Sequence, residues 1–137
     1  MEKQSIAHCI DEILLAIVQR KSVDYGDKAS VRRFNTAYDR MIQNARYLDL
    51  HYPDQIDALM KLLYHDDLDV VVNCAPIILT LENSTFSQKW EAIAVIRSIT
   101  TDKRICNSDR LGFSVSLKRW EKRLKQMTDA NTNGSVW

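Results

Sequence analysis

The 137 residues contain only three glycines and two prolines, and no glycine falls between Gly26 and Gly112. A sheet protein needs turn residues about every 8–12 positions, so this scarcity excludes a sandwich or barrel and leaves long runs free to coil into helices. Cys9, Cys74 and Cys106 are odd in number and widely spaced, with no CxxC pair. That pattern excludes a disulfide framework and a cysteine-rich zinc site, and it reads as reduced thiols in a cytoplasmic protein. The longest apolar runs, such as Ile13 to Val18, fall far short of the roughly 20 residues that span a bilayer. The opening MEKQSIAHCIDEILL carries acids in its first turns and lacks a small-residue cleavage site, so it does not read as a signal peptide.

Charge of one sign is also missing overall, because the net charge is +1. Its distribution is less even. Residues 51–82 hold Asp54, Asp57, Asp66, Asp67, Asp69 and Glu82 against Lys61 alone, while residues 97–125 hold nine Lys or Arg against three acids. Such asymmetry can orient a charged partner.

What the sequence does have is helical periodicity. Six segments are expected. The first runs from about Ser5 to Lys21, with Ile6, Ile10, Ile13, Leu14 and Ile17 on one face. The second covers about Lys28 to Leu50 with the stripe Phe34, Tyr38, Met41, Ile42, Ala45 and Leu48, and stops before Tyr52-Pro53. Pro53 suits the start of a third helix bearing Ile56, Leu59, Met60 and Leu63. A fourth starts near Asp67 or Asp69 and reaches Leu81. It is apolar on nearly every side, which places it between layers, and Pro76 should kink it. Asn83-Ser84-Thr85 offers capping chemistry before a fifth helix from about Phe86 to Thr100. Thr101 to Ser108 reads as a loop. The last helix, about Asp109 to Met127, shows Phe113, Leu117, Trp120, Leu124 and Met127 at 3–4 spacing. Residues 1–128 then form a single helical domain, and the polar stretch 129–137, ending in Trp137, forms a flexible tail.

The run HDDLDVVVNCAPIILTLENSTFSQKWEAIAVIRSI resembles a HEAT-type repeat: acidic turn, buried helix, short turn, second helix. In LGFSVSLKRWEKRLK, the residues Gly112-Phe113, Ser116-Leu117 and Trp120 resemble the ending of a family of small bacterial HEAT-like proteins of unknown function. RRFNTAYDRMIQNARYL, with Asn35, Tyr38 and Asp39, is similar to that family's long second helix. Val71 departs from the HEAT pattern, which usually carries an Arg there. The resemblance covers about residues 30–125 and implies an all-α, HEAT-like right-handed αα superhelix, with residues 5–21 as an N-terminal cap. It also implies a protein-binding scaffold, similar in size and architecture to immunity proteins that neutralise bacterial toxins in interbacterial competition such as contact-dependent growth inhibition.

His65, Asp66, Asp67 and Asp69 could hold a metal, but calcium loops need about six oxygens and a glycine at the turn. Zinc needs three or four ligands, and no second His or Cys pair stands nearby. Asp66 and Asp67 read instead as cap and dipole partners, so no metal or cofactor is expected. His8, His51 and His65 are scattered, and no nucleophile–base–orienter pattern exists. Cys74 reads as a small buried hydrophobe. Cys106, beside Lys103 and Arg104, is the one thiol in a basic setting. The chain therefore reads as no enzyme.

The acidic residues Asp54, Asp57, Asp66, Asp67 and Asp69 are expected to gather at the turn joining the third and fourth helices. Many nuclease toxins are basic because they grip phosphate, so this patch could steer an immunity-type inhibitor onto a basic toxin domain. The rival surface is Lys118, Arg119, Lys122, Arg123 and Lys125 on the last helix. HEAT-like DNA glycosylases use basic faces of this kind, which makes nucleic-acid binding the alternative function.

Overall fold

The computed structural model describes residues 3–21 and 23–132. Six helices account for most of the chain, and no strand occurs among the described residues. Their boundaries follow from local chemistry. Helix α1 (Ile6–Arg20) starts where the Ser5 side chain accepts the His8 backbone N–H. Helix α2 (Lys28–His51) is capped likewise by Asp27, which accepts from Ala29, and it ends ahead of Pro53 because the pre-proline residue avoids the α region.

The third segment departs from the single helix that periodicity suggests. Only Asp57–Met60 (α3) is α-helical, flanked by tighter 3-10 turns at Pro53–Gln55 and Lys61–Tyr64. Ile56, Leu59 and Leu62 are all buried, and the three-residue turn aligns such i, i+3 positions on one side.

Asp67 caps α4 (Leu68–Thr80) by accepting the Asp69 backbone N–H. Pro76 lies inside this helix, which nevertheless continues to Thr80. Thr85 and Gln88 form a full capping box at the start of α5 (Phe86–Ile99), each satisfying a backbone N–H that the first turn leaves free. Helix α6 (Asn107–Thr132) extends beyond Met127, so the first residues of the expected tail, 129–132, are helical. The rest of that tail, including Trp137, lies outside the described residues.

Helix α1 packs along α2, α4 packs against α5 and the Lys61–Tyr64 turn, and α5 packs against α6. One core runs through these layers, with Ile13, Ile17, Met41, Leu48, Ile78, Ile93 and Ile96 all but sealed from solvent. Each such aliphatic side chain contributes about 1.5–3 kcal/mol when fully buried. A smaller cluster of Val71, Ile99 and Ile105 closes the α5–α6 loop.

Two buried charges hold the α4–α5 turn. The Asp49 carboxylate on α2 accepts the backbone N–H groups of Glu82 (2.8 Å) and Asn83 (3.0 Å). From α5, the Lys89 ammonium donates to the carbonyls of Leu81 and Ser84, both at 2.9 Å. Burial lowers the affinity of Lys89 for its proton, and Asp49 opposes that shift.

Candidate functional site

Helix α4 is buried where it meets α1, α3 and α5, through Val70, Val71, Cys74, Ala75, Ile77 and Ile78. Val72, Asn73 and Pro76 remain half-buried on its other side. They form the floor of a groove of about 620 Å³ walled by the ends of α1 and α2 on one side and by Asp109 and Phe113 of α6 on the other. The helix expected to be covered all round is thus open along one stripe. Pro76 faces that stripe and has no N–H to offer the Val72 carbonyl one turn earlier.

Arg20 reaches into this groove from the last turn of α1. Its guanidinium carbon lies 4.6 Å from the Phe34 ring centre and 5.0 Å from that of Tyr38, within the range of a cation–π contact. Nη1 donates to Asn73 Oδ1. The Asn73 amide is fixed in turn, because its Nδ2 donates to the Asp69 carbonyl at 2.7 Å. Nε is buried and has no acceptor among the described residues. Burial lowers the guanidinium's proton affinity, with the Tyr38 and Tyr25 hydroxyls acting the other way; the group stays charged at neutral pH. No carboxylate of the described residues pairs with it. Tyr25 is 75% exposed and Tyr38 44% exposed, so the rim carries aromatic surface.

This placement revises the expected α2 stripe. Met41, Ala45 and Leu48 are core, joined by Ala37, but Phe34 and Tyr38 turn to the groove and receive Arg20. Arg20, Asn73 and Tyr25 belong to no sequence motif that marks them as site residues. The available signal was a polar Asn73 within an otherwise apolar helix.

The five aspartates do not gather at one turn. Asp57 accepts from Gln88 Nε2 at 3.0 Å, beside the start of α5. Asp66 lines a cleft with Ser98, Ile99, Asp102 and Arg104, at the far end of the same helix. The two ends are roughly 15 Å apart at about 1.5 Å of rise per residue. Asp54 belongs to the Asp57 end through the Pro53–Gln55 turn. At the other end, Asp67 and Asp69 are held by Lys21, at 2.5 and 3.5 Å. The Lys21 hydrogen bond, with the Asp69 backbone N–H, keeps the Asp67 carboxyl below its ordinary range. Asp66 and Asp69 are exposed, and Asp69 also lines the groove beside Asp109.

His65 Nδ1 accepts the Asp67 backbone N–H at 3.0 Å, so its ring serves the turn. No group of three or more His, Cys, Asp or Glu among the described residues is placed to hold a metal ion. Cys9 and Cys74 are buried, and Cys106 is exposed. Burial pushes the Cys74 thiol up to about 12. On α6, Lys118, Arg119, Lys122, Arg123 and Lys125 are all exposed. Leu117 and Leu124 bury the opposite stripe while Met127 is 44% exposed. A second cleft, between α1 and α2, carries Arg32, Arg33 and Arg40, of which Arg40 is engaged by Gln19 at 2.9 Å. No helix of the described residues is long and apolar enough to cross a membrane.

In comparisons with known proteins, no family model, no curated protein and no solved structure matches this chain.

Proposed function

We propose that this chain is a non-enzymatic protein-binding module of HEAT-like architecture. One observation carries the reading: the groove between α1–α2 and α6 presents exposed tyrosines around an arginine that has no carboxylate partner among the described residues. Tyr and Arg in a partly desolvated depression are the residue types that dominate protein–protein binding energy. The HEAT-like part rests on helices that stack on their chain neighbours across short turns. In its sharper form, the module is a cytoplasmic immunity protein. Its exposed acids Asp66 and Asp69, with Asp54 and Asp57 beyond them, steer a basic toxin domain toward the groove.

The first test is the gene neighbourhood: a gene immediately upstream for a large secreted protein with a variable toxic C-terminus is expected, and that C-terminal domain is then co-expressed with this chain. Rescue of growth and a stable complex are expected, weakened by Asp66→Lys with Asp69→Lys. Absence of both rescue and complex would sink the immunity form. The exposed basic row on α6 defines the competing outcome. If labelled DNA or RNA binds with a steep salt dependence, and Lys118→Glu, Lys122→Glu and Arg123→Glu together abolish it, the chain is a nucleic-acid-binding domain instead.

A further inference from the structure

The groove holds a cation at its floor whose hydrogen-bonding capacity is only partly used. Arg20 spends Nη1 on Asn73 and lies over the rings of Phe34 and Tyr38, while Nη2 has no acceptor among the described residues. Asn73 is a neutral partner and leaves the positive charge uncompensated. A planar guanidinium held against two rings is already oriented, so it loses little freedom on meeting a planar acceptor. The surrounding walls are apolar in part, through Ile42, Val72, Ile77 and Phe113, and charged in part, through Lys21, Asp69 and Asp109.

We infer that the groove is a receptor for a carboxylate carried on an apolar segment of the protein partner, with Arg20 as its anchor. The carboxylate would meet Nη2, and the adjoining apolar side chain would lie along Val72, Ile77 and Phe113. The rim argues against a phosphate occupant, because Asp69 and Asp109 also line the groove and repel a doubly charged anion more than a singly charged one. Asp109 suits a basic residue beside the carboxylate, since Lys21 already engages Asp69. This inference rests on the protein-binding reading and assigns the chemistry of its contact point.

The binding event can be measured on the chain alone, by NMR titration with N-acetyl-phenylalanine, its primary amide and inorganic phosphate as probes. The acid should give saturable shifts of the Arg20 Nε–H and of the Tyr38, Asn73 and Phe113 amides, at least tenfold tighter than the amide. Arg20→Met should remove that difference, and Arg20→Lys should weaken binding of the acid because the planar fork is gone. Equal binding of acid and amide, no saturable shift, or phosphate binding as tightly at the same resonances would overturn the assignment. If Arg20→Met fails to fold, the acid–amide comparison on the unaltered chain still decides. Failure here removes the role of Arg20 and leaves the growth-rescue test standing, whereas failed rescue with a bound carboxylate would reject the immunity reading alone.

Discussion

Asp49→Ala tests whether a buried charge organises the α4–α5 turn. The Asp49 carboxylate, 6% exposed, accepts two backbone N–H groups from residues more than thirty positions away. Its own backbone carbonyl accepts from Asn83 Nδ2 at 3.0 Å, so the turn is tied to α2 three times. Alanine removes both carboxylate bonds and leaves two backbone donors without acceptors. An orphaned donor costs about 1–3 kcal/mol when fully buried, and Glu82 and Asn83 are themselves exposed. Partial access to water at the turn lowers that figure, and a total of about 2–4 kcal/mol follows. The loss also deprives Lys89 of the charge that offsets its burial. Urea unfolding followed by far-UV circular dichroism reads the effect directly. With a slope of about 1–3 kcal/mol per molar urea, the midpoint should fall by roughly 1–2 M. Asp49→Asn, which keeps one acceptor oxygen, should lose about half as much. A midpoint within about 0.3 M of the unaltered chain for Asp49→Ala would refute the reasoning.

Thr85→Ala removes one arm of the capping box and should cost about 1 kcal/mol, read as a lower thermal midpoint; Thr85→Gly should cost less. Cys106 should react rapidly with a thiol reagent near neutral pH, while Cys9 and Cys74 react only after unfolding. Burial raises both of these thiols, and two or three fast equivalents in the folded state would contradict the core as described. The Lys21–Asp67 clasp links the end of α1 to the start of α4. Asp67 titrates below its ordinary 3.8, so the clasp's contribution is complete above that value and disappears as pH falls through the lower folded one. Lys21 titrates above 10.5, so the contribution is lost again as pH rises past its folded value. Lys21→Met should therefore be less stable than the parent at pH 7, in low salt most of all, and the gap should shrink at a pH well below 3.8. A gap of equal size at both pH values would reject the clasp.

The helices were legible in the sequence because caps and periodicity are local. Ser5, Asp27, Asp67 and Thr85 each satisfy a backbone N–H two or three residues away, and the aliphatic rows of α1 and α4 report which face is buried. The break of the third segment into 3-10 turns was not legible, since Ile56, Leu59, Met60 and Leu63 fit either winding until the packing of Leu62 is known. The acidic residues could be counted but not located: α3 and the Lys61–Tyr64 turn separate Asp57 from Asp66, and only the position of α5 shows that they sit at its opposite ends.

Arg20, Phe34, Tyr38 and Asn73 belong to three different helices, and no local rule joins them. Periodicity alone assigns Phe34 and Tyr38 to the core stripe of α2, because an aromatic ring packs equally well against aliphatic neighbours or under a guanidinium. The chain by itself determined the helices, their order and most of their buried faces, since those depend on hydrogen bonds and spacing within a few residues. The groove, the Arg20 cation at its floor and the Asp49–Lys89 hold on the α4–α5 turn were decided only by the tertiary structure, which brings together charges and rings that lie far apart in the sequence.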